Sequence, residues 1–188
     1  IIVGGSKVTM PLLEKIMGYK SKFYETYGMT ETVTHIAVRQ LASEGLKGDS
    51  LFNALPNVFF GQDERECLVL NASKLVKEAV VTNDVVDLKS ETSFKLLGRY
   101  DNVVNSGGVK LFPEQIEDKL QPFIDERFIV AGAEDAILGE KLILIIENPE
   151  DSSESIHNRI KILKGLNKFE VPKTIYTIDK FSETVNGK

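Results

Sequence analysis

The sequence predicts an α/β segment dominated by short strands, followed by a smaller α+β domain. Three observations carry this. Between His35 and Leu97 the apolar residues come in short runs rich in Val, Phe and Leu, separated by polar turns, the pattern of a small sheet or barrel. After Asp101 helical and strand periodicities alternate, with turn residues between them. The composition, 42% hydrophobic and 27% charged over 188 residues, is that of a globular chain with room for one ordinary domain or two small ones. It excludes a disordered tail, a collagen-like repeat and a coiled-coil rod.

Taken in order, Ile1-Ile2-Val3 reads as a strand entering a turn at Gly4-Gly5-Ser6. Thr9 is a plausible N-cap, Leu12, Leu13, Ile16 and Met17 keep helical spacing, and Gly18 closes the helix. Lys22 to Tyr27 is a short strand. Strands are then expected over His35 to Leu41, Asn57 to Phe60, Cys67 to Asn71, Ala79 to Thr82 and Phe94 to Leu97. Past Asp101, Val103-Val104 and Val109 to Phe112 flank Asn105-Ser106-Gly107-Gly108, a hairpin signal. Pro113 and Glu114 open a helix whose stripe is Ile116, Leu120 and Phe123. Phe128 to Ala133 and Lys141 to Glu147 are strands. Asp151 to Glu154 has capping-box spacing with an acidic cap, before a helix faced by Ile156, Ile160, Leu163 and Leu166. Thr174 to Ile178 is the last strand. The domain boundary falls near Asp101, dividing residues 1–100 from 101–188.

The net charge of −5 and a pI near 5.2 argue against a nucleic-acid scaffold. One cysteine, Cys67, excludes an internal disulfide framework, indicates a reducing, cytoplasmic setting, and reads as a buried small hydrophobe. His35 and His157 with that cysteine make no zinc pattern. His157 lies on a polar helix face, and Lys161, Lys164 and Lys168 read as solvated surface. The longest apolar runs, such as Leu142 to Ile146, are far short of a membrane span.

Five ordered motifs carry chemistry: Gly4-Gly5-Ser6; Tyr24-Glu25-Thr26-Tyr27-Gly28-Met29-Thr30-Glu31-Thr32; Thr82-Asn83-Asp84; Gly98-Arg99-Tyr100-Asp101 with Ser106-Gly107-Gly108 and Pro113 to Glu117; and Pro172-Lys173, Phe181, Thr184 and Asn186-Gly187-Lys188. Together they resemble the adenylate-forming superfamily of acyl-CoA synthetases, adenylation domains and luciferases, over nearly the whole chain. The resemblance implies the end of a large adenylation domain followed by a small lid domain. One departure is Asn83, where the family usually has Gly; Asn tolerates left-handed backbone, so the expected turn is compatible with it. The family's upstream Ser/Thr/Gly-rich phosphate loop ending in Lys has no match here, so the resemblance implies a carboxyl-terminal fragment that is inactive alone.

What the resemblance implies for each residue follows from the reaction, in which negative charge moves on oxygen and positioned cations and donors stabilise it. Glu31 would hold Mg²⁺ and Thr30 would donate to the α-phosphate of ATP. Tyr27 would pack on adenine, with Gly28 and Met29 beside it and Gly4, Gly5 and Ser6 letting backbone approach the base. Asp84 would accept the ribose hydroxyls, with Asp87 as a nearby competitor and Arg99 as a donor on the same side. Lys188 would bring a mobile positive charge to the carboxylate and α-phosphate. Asp101 would be the hinge, Gly107 and Gly108 would line a pantetheine tunnel of coenzyme A, and Lys110 would meet a CoA phosphate. His35 borders the acyl pocket or is a strand-edge histidine; the residues leave both readings open.

The stretches Tyr27 to Arg39 and Asp101 to Lys110 look like those of o-succinylbenzoate–CoA ligases of menaquinone biosynthesis. The implied function is an ATP-dependent, AMP-forming ligation of a small carboxylic acid to CoA, with another fatty or aryl acid–CoA ligase as the alternative. A non-catalytic binding descendant is the rival from a different class, against which the presence of Glu31 and Lys188 argues.

Overall fold

The computed structural model describes residues 1–5, 8, 10–43 and 50–182. Ser6, Thr9, Thr184, Asn186, Gly187 and Lys188 therefore lie outside the described residues. The chain divides into two compact units, Ile1–Tyr100 and Asp101–Lys188.

The first unit is built on one eight-stranded sheet. Its strands are β1 (Ile2–Val3), β2 (Tyr24–Gly28), β3 (His35–Gln40), β4 (Phe52–Ala54), β5 (Phe59–Gln62), β6 (Cys67–Asn71), β7 (Val80–Ser90) and β8 (Ser93–Arg99), in spatial order β1-β2-β3-β4-β8-β7-β6-β5. Only β1 and β2 run parallel; the other neighbours are antiparallel. Helix α1 (Met10–Met17) buries Ile16 with Val8, Phe23 and Leu41 in a small satellite core. The main core is aromatic. Phe52 and Phe94 stack at 5.5 Å between centroids, and Phe60 meets Phe94 edge-on at 4.9 Å. Each such pair adds about 0.5–1.5 kcal/mol beyond the area it buries. Cys67 is fully buried in β6.

The sheet departs from the sequence expectation at particular places. β4 was not expected; it has one buried apolar residue, Phe52, too little for a periodic signal. β7 runs to Ser90 rather than ending at Thr82; its polar residues Asn83, Asp84, Asp87 and Lys89 give no strand signal, and a register shift between Val85 and Val86 breaks the alternation. The strand expected from Asn57 starts at Phe59, since Asn57 takes a left-handed φ of 67° and turns the chain. Thr82-Asn83-Asp84 is likewise not a turn: it lies within β7, and Asn83 has no positive φ.

The second unit pairs strands β9 (Val104–Ser106), β10 (Val109–Leu111), β11 (Phe128–Asp135), β12 (Gly139–Glu147) and β13 (Thr174–Ile178) with helices α2 (Pro113–Leu120) and α3 (Ser153–Lys161). β11 accompanies β12 along its whole length, so β9 and β13 share the other edge of β12 at opposite ends. The Asp135 carboxylate closes the β11–β12 hairpin by accepting from the amides of Leu138 and Ile137, which lower its pKa. The core is aliphatic: Ile116 and Leu120 of α2 and Ile156 and Ile160 of α3 cover Val130, Leu142, Leu144 and Ile146. Phe123 is not part of the α2 stripe. A following short turn, Gln121–Phe123, swings it out to 51% exposure. The α3 cap is Ser152 rather than Asp151: its hydroxyl accepts from Ser155 N at 3.2 Å, while Asp151 pairs with Arg159. His157 is half-buried rather than solvated, and burial, Lys161 and Lys173 lower its pKa.

Candidate functional site

The described residues expected from sequence to face a nucleotide sit on two pairs of neighbouring strands of the first unit, β1 with β2 and β7 with β8, or directly after them. β2 carries Tyr27 and Gly28, then the chain makes a single tight turn, Thr30–Thr32, before β3. Thr32 anchors that turn. It is fully buried, its hydroxyl accepts from Met29 N at 3.2 Å, and it lies 2.9 Å from the Thr34 carbonyl. Thr30 and Glu31 are left exposed on the outside of the turn. Gly28 is required by a close approach: a Cβ there would lie 2.6 Å from the Thr34 carbonyl oxygen, at the bulge where Gly28 pairs with His35. His35 is exposed at the start of β3. Val33 takes φ 62° while 89% exposed, a strained conformation for a β-branched residue. Gly4 and Gly5 follow β1, whose neighbour is β2.

Tyr27 and Asp84 are 57 positions apart in sequence and in direct contact in the fold. The Tyr27 hydroxyl donates to Asp84 Oδ2, and Arg99 Nη1 donates to Asp84 Oδ1 at 3.2 Å. The ladder causes this, because Asp84 of β7 pairs with Arg99 of β8. The Asp84 amide is held in turn by Thr82 Oγ1 at 3.1 Å. Burial, then the charge and hydrogen bond of Asp84, push the Tyr27 hydroxyl well above the ordinary tyrosine range, so it stays protonated and donates. The Tyr27 ring is packed against Phe52 and Phe94 and only 9% of the residue is exposed. Asp87, the competitor, points to a different partner: Lys89 at 2.6 Å, with both side chains well exposed.

The sequence assigns no role to two residues of this region, Glu25 although it lies within the motif of residues 24–32 and Arg65 because it lies in no motif. Glu25 is buried on β2 and paired with Arg39 of β3 at 2.6 Å, across a ladder pair. Arg65, in the turn between β5 and β6, reaches the backbone and side chain of the Thr82-Asn83 step.

In the second unit, Gly107 and Gly108 form the tip of the β9–β10 hairpin with φ 58° and 83°, and both are exposed. Gly107 N donates to Leu138 O at 3.0 Å. Lys110 is exposed on β10. Asp101 borders a cleft of about 360 Å³ with Asn102, Glu114, Glu117 and Glu140. Two of those carboxylates are structural: Glu117 accepts from Val130 N at 3.0 Å and Glu140 from Asn105 N at 2.8 Å. Among the described residues no group of three or more His, Cys, Asp or Glu could hold a metal ion. The donors present suit a Mg²⁺ carried in on phosphate oxygens, which needs only one or two carboxylates; exposed Glu31 is one, with Thr30 beside it. No helix among the described residues is long and apolar enough to cross a membrane.

No protein-family model matches the chain. It is 27% identical over its whole length to the 2-succinylbenzoate–CoA ligase of Lactococcus lactis and 24% identical to that of Bacillus subtilis. The chain spans 44% of the length of these curated relatives. Among solved structures it is similar to an acyl-CoA synthetase (AMP-forming)/AMP-acid ligase II-like protein of Dyadobacter fermentans, at 34% identity and TM-score 0.54, covering all of this chain and 54% of that one. It also superposes on the Bacillus subtilis o-succinylbenzoate coenzyme A synthetase in complex with ATP and magnesium ion, at TM-score 0.76 and 21% identity, covering 44% of that chain.

Proposed function

We propose that this chain, whose fold is that of the adenylate-forming acyl-CoA synthetase superfamily, supplies the nucleotide-facing and lid parts of an AMP-forming carboxylic acid–CoA ligase. The observation that carries the reading is the convergence of Tyr27, Asp84 and Arg99 next to the exposed Thr30-Glu31 turn. A carboxylate with one oxygen fixed by a neutral donor and the other by a cation is oriented before any ligand arrives, and its remaining lone pairs suit two vicinal hydroxyls.

In this reading the substrate carboxylate attacks the α-phosphorus of ATP, the bond to pyrophosphate breaks, and an acyl-adenylate forms. A thiolate then attacks the acyl carbon and AMP leaves. Asp84 holds the ribose, Arg99 donates on the same side, and Thr30 donates to the α-phosphate. Tyr27, Gly28 and Met29, with Gly4, Gly5 and Ser6, bound the adenine side. Mg²⁺, held by Glu31 and phosphate oxygens, would neutralise phosphate charge. Lys188 adds a positive charge at the carboxylate and α-phosphate, and Asp101 is the pivot of the lid. Gly107 and Gly108 present bare backbone to the pantetheine arm of CoA, Lys110 meets a CoA phosphate, and His35 borders the acyl group. The names of the relatives support 2-succinylbenzoate as the acid, giving succinylbenzoyl-CoA in menaquinone biosynthesis.

The test is an assay of the full-length protein with ATP, Mg²⁺, CoA and 2-succinylbenzoate. Succinylbenzoyl-CoA and AMP are expected; turnover of a different acid alone would overturn the substrate. Lys188→Ala should lower adenylation by about a hundredfold or more while thioester formation from supplied acyl-adenylate survives. If both steps are unchanged, the role of Lys188 is wrong.

A further inference from the structure

Arg65 makes more directed contacts than any role in the β5–β6 turn requires. Its Nε donates to Asp63 Oδ2 at 2.8 Å, its Nη1 to Asn83 Oδ1 at 3.0 Å, and its Nη2 to the Thr82 carbonyl at 3.2 Å. Its guanidinium also lies 5.1 Å from the centre of the Tyr100 ring. The base of this fork is rigid. Asp63 Oδ1 accepts from the amides of Arg65 and Cys67, each at 2.9 Å, Asp63 N donates back to the Cys67 carbonyl, and Glu66 turns the chain at φ 67°. The aim of the guanidinium is therefore set by a closed turn, and its far side grips the two residues that precede Asp84 and the residue that follows Arg99.

We propose that Arg65 is a positioning residue for the ribose-binding pair, acting through Asn83 and Tyr100 on Asp84 and Arg99. This rests on the ligase reading of those two residues. Asn83 stands where the superfamily usually has glycine. A glycine offers no side-chain acceptor, whereas Asn83 supplies the carbonyl that Arg65 Nη1 grips. The Thr82-Asn83-Asp84 segment is a strand with no tight turn to fix it; the ladders to β6 and β8 bracket it, Tyr27 and Thr82 Oγ1 hold Asp84, and this clamp is what holds the Asn83 side chain and the Thr82 carbonyl. A planar guanidinium with five donors can hold a carboxylate, an amide oxygen, a backbone carbonyl and a ring face at once; a lysine cannot. Arg65 touches no reacting atom in this scheme: it sets the angle at which Asp84 and Arg99 meet the ribose.

The experiment uses the full-length protein and compares ATP with 2′-deoxy-ATP in the adenylation half-reaction. The wild type should prefer ATP, because Asp84 reads the ribose hydroxyls. Arg65→Ala should raise the KM for ATP roughly tenfold, the scale of losing a charge-assisted hydrogen bond, with kcat and the KM for the acid within about twofold. It should also shrink the preference for ATP over the deoxy analogue several-fold. Asn83→Gly should move the same ratio in the same direction, and Arg65→Ala/Asn83→Gly should be no worse than Arg65→Ala alone, since both remove one contact. Arg65→Lys should fall between. If Arg65→Ala proves too unstable to assay, Asn83→Gly and Arg65→Lys carry the test. A preference for ATP that persists in these variants, whatever their melting temperature, overturns the positioning role and leaves the ligase reading intact. A wild type that treats the two nucleotides alike overturns the ribose assignment of Asp84 and this inference with it.

Discussion

The two units mount their candidate site residues in different ways. In the first, the carboxylate of Asp84, which we propose holds the ribose, is wired to Tyr27, whose ring is part of the Phe52–Phe94 cluster, and the Thr30–Thr32 turn is pinned by a fully buried Thr32. In the second, the core is aliphatic, and Asp101, Gly107, Gly108 and Lys110 are all exposed at turns or on an edge strand. Binding a small polar ligand with precision calls for side chains whose rotamers are already locked by packing. Lining a passage for a flexible arm calls for backbone shape, which glycines at positive φ supply without a side chain. On the ligase proposal, the same chain uses a core as the mounting in one unit and a hairpin in the other.

The contrast can be broken at its strongest point first. Phe94→Ala removes a fully buried ring that contacts Tyr27, Phe52 and Phe60, and should cost about 3–5 kcal/mol in denaturant unfolding while also weakening ATP binding. Leu144→Ala, equally buried in the second unit, should cost about 2–5 kcal/mol and leave nucleotide affinity unchanged. Equal loss of ATP affinity in both would erase the distinction between the units.

Tyr27→Phe keeps the ring and removes the hydroxyl, so it should cost about 1.5–3 kcal/mol, with a matching rise in the KM for ATP. It also has a pH signature. The folded-state pKa of Tyr27 is raised, so the unfolded state releases its proton first as pH climbs. The stabilisation is complete below the ordinary tyrosine value of 10.0 and declines above it. The stability gap between wild type and Tyr27→Phe should therefore narrow in alkaline unfolding curves; a constant gap would show that the hydroxyl is not held protonated.

Gly107→Ala should destabilise the second unit by about 1–2 kcal/mol, because φ is 58° and a Cβ would press Leu138 Cδ2 at 3.1 Å. Gly108→Ala, with open space around it but φ 83°, should cost about 1 kcal/mol. Both should slow thioester formation and spare adenylation. The smallest effect is a gain: Val33→Gly should stabilise by about 0.5–1 kcal/mol, read as a rise in melting temperature, because it relieves a left-handed β-branched residue with almost no contacts to lose.

Legibility from sequence followed local pattern. Cys67–Asn71 and Thr174–Ile178 have the bounds expected for them, since each is an apolar run closed by turn residues. Phe52–Ala54 was hidden because three residues carry no period, and the second half of β7 because its outer face is Asp, Lys and Ser. The motif residues were legible as residues but not as partners. Tyr27 of β2 meets Asp84 of β7 across 57 positions although the two strands are not sheet neighbours, and Arg65 meets Asn83 across 18 because the β5–β6 turn lies beside β7; neither contact is written in local periodicity. Asp84 rather than Asp87 meets Arg99 because the ladder register sets Asp84 opposite Arg99 and Asp87 opposite Lys95.

The β9–β10 hairpin is fastened at both of its ends. At the turn, Ser106 pairs with Gly139 of β12, Gly107 N donates to Leu138 O, and Asn105 N donates to the Glu140 carboxylate. At the base, Val104 and Leu111 are buried in the aliphatic core. A strap tied at both ends has little slack, so the bare backbone of Gly107 and Gly108 is a fixed edge, set by Leu138 on one side and by the core on the other.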